Sequence, residues 1–92
     1  MTHQDQIVAV SPGCVLSEEL QARGMTQREL ARQMGRPYQA VNELIKGKKK
    51  LMPQTALELE LVLGVSAQFW LNLESMYRLA LARKEVERWH LF

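Results

Sequence analysis

One cysteine and two histidines occur in 92 residues. Cys14 has no second cysteine to pair with, so the cross-linked framework of a small secreted domain is absent. Cys14, His3 and His90 are the only strong transition-metal ligands, and no two of them stand at a ligand spacing. No apolar run reaches the length of a membrane span. No basic head followed by an apolar stretch marks a secretion signal. Catalytic patterns are missing too. There is no glycine-rich phosphate loop and no His-Glu-x-x-His, and Glu18 and Glu19 are neighbours on a helix, facing different ways. The expectation is a cytoplasmic non-enzyme that needs no metal or cofactor and makes no membrane contact.

Strand-like alternation is also lacking, and glycine and proline punctuate the chain instead. Pro12, Pro37 and Pro53 lie where helices can begin. Gly24, Gly35, Gly47 and Gly64 lie where helices can end as left-handed residues. The spacing predicts helices over roughly 13–23, 27–34, 37–46, 53–63 and 67–89, after a loose arm at 1–10. Residues 11–65 make the core of one all-α domain, and 66–92 form a long helix that closes it. Joins of a few residues suit a compact bundle. The sharpest local signal is "TQRE" at 26–29, a capping box in which Thr26 and Glu29 satisfy each other's N–H groups. Met25 precedes that cap and faces Leu30 as a staple.

The net charge is only +2, but it is concentrated. Residues 36–50 hold Arg36, Lys46, Lys48, Lys49 and Lys50 against Glu43 alone, while the chain on either side is slightly acidic. Such a focus attracts nucleic acid, anionic lipid or an acidic protein, and it also solvates turns. A helix ending at Gly35, a short turn and a second helix make a helix-turn-helix. In the second helix Val41, Leu44 and Ile45 share an inward face, leaving Gln39, Asn42, Glu43 and Lys46 outward. Amides such as Gln39 and Asn42 suit adenine edges, and the first turn of such a helix enters the major groove. Gln27, Arg36, Lys46, Lys48, Lys49 and Lys50 then stand where backbone phosphates pass. Tyr38 either packs on the turn or touches DNA. Glu43 either accepts from a cytosine amine or, as favoured here, braces a basic neighbour.

The stretch "MTQRELARQMGRPYQAVNELIKGKKK" at 25–50 resembles the xenobiotic-response-element class of helix-turn-helix. More narrowly, the chain resembles the HigA antitoxins, also known as virulence-associated protein I. "SPG" at 11–13, "TALELELVLG" at 55–64 and above all "VSAQFWLNLESMYRLA" at 65–80 carry that likeness. The resemblance implies a five-helix, lambda-repressor-like dimer that represses its own operon and blocks a RelE-like ribonuclease toxin. Carried over by position, 37–46 is the recognition helix, with Tyr38, Gln39 and Asn42 as base contacts and Gln27 as a phosphate contact. Some positions depart from the family pattern. Met52 stands where a capping Thr or Ser is frequent, Ser11 replaces His, Cys14 replaces Glu, and Glu60 and Leu61 break the usual pattern. If Glu60 faces the core it needs a partner; otherwise Leu61 packs there. A free-standing regulator, or a module for an acidic protein, remain the rival functions.

The last helix spans about 35 Å at 1.5 Å per residue. One apolar stripe is Phe69, Trp70, Leu73, Met76, Tyr77, Ala80 and Leu81; a second is Leu71, Leu79, Ala82, Val86 and Trp89. Four short helices cannot easily bury both, so either the two make one wide stripe folded inward or the surplus surface meets a second subunit, with Leu79, Ala82 and Val86 the preferred contact. A two-fold dimer sets the recognition helices one turn of DNA apart and predicts an inverted-repeat operator.

Overall fold

The computed structural model describes residues 10–89, in five helices: α1 (Pro12–Arg23), α2 (Gln27–Met34), α3 (Tyr38–Ile45), α4 (Pro53–Leu63) and α5 (Ala67–Trp89). The amino arm expected at 1–10 lies outside the described residues except for Val10, which is exposed. Helix bounds follow the glycine and proline pattern closely. Pro12 and Pro53 occupy first-turn positions, and Gly24, Gly35, Gly47 and Gly64 all have positive φ. Pro37 differs from the expectation. It is the cap residue in an extended conformation, so α3 starts one residue later.

Local capping explains most of the starts. Ser11 accepts from the Cys14 N–H at 3.2 Å, a role the sequence reading did not give it. The capping box on α2 is complete: the Thr26 N–H donates to Glu29 at 2.7 Å and the Glu29 N–H to Thr26 at 3.0 Å. Ser66 caps α5 through the Phe69 N–H at 3.0 Å. Met52 offers α4 no side-chain cap, as its thioether dictates.

The core is built from one face of each helix: Leu16 and Leu20, Leu30 and Ala31, Val41 and Leu44, Ala56, Leu59 and Leu63, and Trp70, with Leu51 from the loop before α4. Met25 and Met34 pack against it from the edge. Helix α1 lies on α3 and α5, α2 on α3 and α4, and α4 on α5. Gly13 allows the closest approach. A Cβ there would stand 2.3 Å from the Ile45 carbonyl oxygen and 2.6 Å from that of Leu44. The start of α1 is therefore seated directly on the end of α3. Arg23 closes the other end of α1 by donating to the Leu63 carbonyl at 2.6 Å.

Two expectations about packing need correction. Glu60 and Leu61 both face solvent, Leu61 at 85% exposure, so neither reaches the core. Glu60 instead accepts from the Ala67 N–H at 2.9 Å, bracing the turn into α5. On α5 neither stripe is buried as a unit. The inward face is Trp70, with Leu71 and Leu73 half-buried and Glu74 buried, whereas Phe69, Met76 and Leu81 of the first stripe are exposed. Helix α5 covers the core through about Arg78, and every residue from Leu81 to Trp89 is exposed. This overhang gives the molecule its elongated outline of 50 × 21 × 20 Å.

Candidate nucleic-acid interface

The α2–turn–α3 unit is set by backbone geometry. Gly35, with φ 71°, lets the Arg36 N–H return to the Ala31 carbonyl at 2.9 Å while its own N–H bonds Arg32 at 3.2 Å. The chain then runs extended through Pro37 and re-enters a helix at Tyr38. Leu30, Ala31, Val41 and Leu44 fuse the two helices from beneath.

On the outer side the sequence-predicted residues meet. The Asn42 amide donates to Gln27 Oε1 at 3.0 Å and approaches the Tyr38 hydroxyl at 3.4 Å. A phosphate candidate from α2 and two base candidates from α3 thus form one hydrogen-bonded group. Gln39 lies exposed beside them, its amide donating to Glu43 at 3.3 Å. Glu43 also faces the Lys49 ammonium at 3.5 Å, which is the bracing role favoured from sequence. Tyr38 does not fold under the turn. It is 39% exposed, and the Arg28 guanidinium lies over its ring, 4.3 Å from the centre. Arg28 is not among the residues the sequence pattern singles out, since from α2 only Gln27 stands out as a contact. Its signal was its place next to Gln27 at the start of α2.

Arg36 is the member of the phosphate set that the structure redirects. Its guanidinium grips Glu58 of α4 with two nitrogens, and Gln54 donates to the same carboxylate at 3.3 Å. Hydrogen bonding to Arg36 holds the Glu58 carboxyl below its ordinary range, and Glu58 in turn raises Arg36. This fork ties the turn to α4 rather than pointing to a ligand. It joins residues too far apart in sequence for periodicity to reveal.

The lysine turn follows α3. Gly47, with φ 77°, ends the helix, and the Lys48 N–H bonds the Glu43 carbonyl at 2.9 Å. Lys46, Lys48, Lys49 and Lys50 are all exposed. Buried Leu51 anchors the far end of the turn, its N–H donating to Glu74 Oε1 at 3.2 Å. Glu74 also pairs with Arg78. A carboxylate on α5 therefore fixes where the basic turn departs, and sequence reading missed it because Glu74 sits within an otherwise apolar stripe. Among the described residues no cluster of three or more His, Cys, Asp or Glu side chains could hold a metal, and no described helix is long and apolar enough to cross a membrane.

Comparison with known proteins agrees with this geometry. The helix-turn-helix family model matches residues 16–70. An uncharacterised helix-turn-helix-type transcriptional regulator of Escherichia coli K12, YddM, is 38% identical over 83% of this chain and 81% of its own. An addiction-module antidote protein of the HigA family from Coxiella burnetii superposes with a TM-score of 0.83 at 30% identity, covering 89% of this chain and 90% of that one. The chain belongs to the helix-turn-helix family, among the HigA-type antitoxins. One HigA relative has been seen on DNA. The Pseudomonas aeruginosa antitoxin HigA, solved with the higBA promoter, matches with a TM-score of 0.79 at 30% identity over 88% of this chain and 94% of that one.

Proposed function

We propose that the chain is a dimeric repressor of its own operon and the antitoxin that neutralises a RelE-like ribonuclease encoded beside it. The observation that carries the DNA-reading half is the Gln27–Asn42–Tyr38 group on the exposed side of α2 and α3, with the lysine turn at its edge. Gln39, Asn42 and Tyr38 present donors and acceptors to base edges, and Gln27, Lys46, Lys48, Lys49 and Lys50 hold phosphates without reading sequence. Promoter binding by the Pseudomonas HigA supports this reading. Leu79, Ala82 and Val86, exposed on the overhanging part of α5, supply the two-fold contact that fixes the spacing of the two recognition helices.

A salt-controlled titration against the chain's own promoter fragment and a scrambled duplex of equal length tests this. The unmodified protein prefers the promoter. Gln39→Ala loses about 1–3 kcal/mol of that discrimination. Lys48→Ala weakens both duplexes alike and lowers the salt slope by about one. Equal effects of both changes on both duplexes would falsify the assignment of roles. Co-expression with the neighbouring gene tests the antitoxin half: a stable complex that silences ribonuclease activity supports it. The likeness to YddM, a transcriptional regulator by name, supports a second reading, a free-standing regulator, and the absence of any such complex would leave that reading standing.

A further inference from the structure

Two arginines flank the reading face, and they are held in opposite ways. Arg36 is committed to Glu58. Arg28, the second residue of α2, lies over the Tyr38 ring and forms no salt bridge among the described residues. The carboxylates of its own and the facing helix are engaged elsewhere. Glu29 closes the capping box on Thr26, and Glu43 holds Gln39 and Lys49. A guanidinium over an aromatic face is steadied by the π-cloud and keeps its rim of N–H donors for another partner.

Position and composition decide what that partner is. Tyr38 is the first residue of α3, at the turn expected to enter the major groove. Helix α3 reads YQAVNELI and contains no arginine or lysine. Its amides suit adenine, whereas the commonest specific contact to guanine is a basic fork on O6 and N7. Any guanine reader must then come from outside α3, and Arg28 is the guanidinium stacked on the first residue of that helix. Building on the DNA-reading role proposed above, we infer that Arg28, oriented by Tyr38, reads one guanine in each half-site and sets specificity there.

Selection from a pool of duplexes randomised over about three helical turns, followed by sequencing, tests this without knowledge of the operator. The unmodified protein enriches an inverted repeat with a strongly preferred G·C pair in each half. Arg28→Ala erases that one preference, leaves the adenine preferences, and weakens the selected duplex about 10- to 100-fold, with a much smaller loss on scrambled DNA. Arg28→Lys keeps the charge but not the fork and fails to restore the G·C preference. Tyr38→Phe retains it; Tyr38→Leu weakens it with Arg28 intact. Arg28 is exposed, and circular dichroism checks that each variant is folded. A uniform loss on all duplexes that lysine rescues, with the salt slope reduced by about one, would make Arg28 a phosphate contact and overturn the inference. Enrichment of no sequence at all by the unmodified protein would instead overturn the DNA-reading role beneath it.

Discussion

Arg36 and Glu58 join the helix-turn-helix to α4, and their charges make that joint sensitive to acid. The folded state holds Glu58 below its ordinary carboxyl value of 4.5, through hydrogen bonding with Arg36 first. Its stabilising contribution is therefore complete above about pH 4.5 and is lost as pH falls through the depressed folded value. Glu58→Gln should cost about 1 kcal/mol at neutral pH, as a partly exposed bidentate pair does, and should flatten the acid limb of stability. Urea melts at a series of pH values measure both; an unchanged acid limb would contradict the assignment. The capping box was readable from sequence because its two residues lie three apart. The Arg36–Glu58 fork spans 22 residues, and the Arg28–Tyr38 stack joins two helices, so no local rule discloses either.

Helices α1 and α3 meet where Gly13 lies against the last carbonyls of α3. Gly13→Ala should cost about 1–3 kcal/mol by overpacking. Because the displaced partner is α3, promoter affinity should fall along with the melting temperature. The sequence singled out "SPG" only through its likeness to a family; the close approach of two backbones gives the glycine its physical reason. Glu74 poses a similar case on α5. Glu74→Leu removes the acceptor for the buried Leu51 N–H and should cost about 1–3 kcal/mol. Amide exchange at Leu51 should rise, since that bond anchors the lysine turn. Helix limits were legible because glycine and proline act at single positions. Which face of α5 turns inward was not, since apolar residues lie on more than one side and a buried carboxylate shares the inner one.

At the scale of the molecule, the five helices divide into a packed globule and an overhang. Leu79→Glu combined with Val86→Glu leaves the core untouched, because both residues are exposed in the single chain. Sedimentation should then report monomers, with promoter affinity reduced and the fold retained by circular dichroism. A stable dimer from that double variant would move the contact elsewhere, with exposed Leu57 and Leu61 on α4 the next surface to alter. The exposed last turns of α5 carry a further implication. Isolated helices shorter than about 12–15 residues are marginal in water, so amides from Leu81 to Trp89 should trade hydrogen for deuterium rapidly in a solitary chain and slowly once sheltered by a companion. Their exchange rate would therefore serve as a built-in gauge of how many copies of the protein are present, legible by mass spectrometry in a sample that contains no DNA.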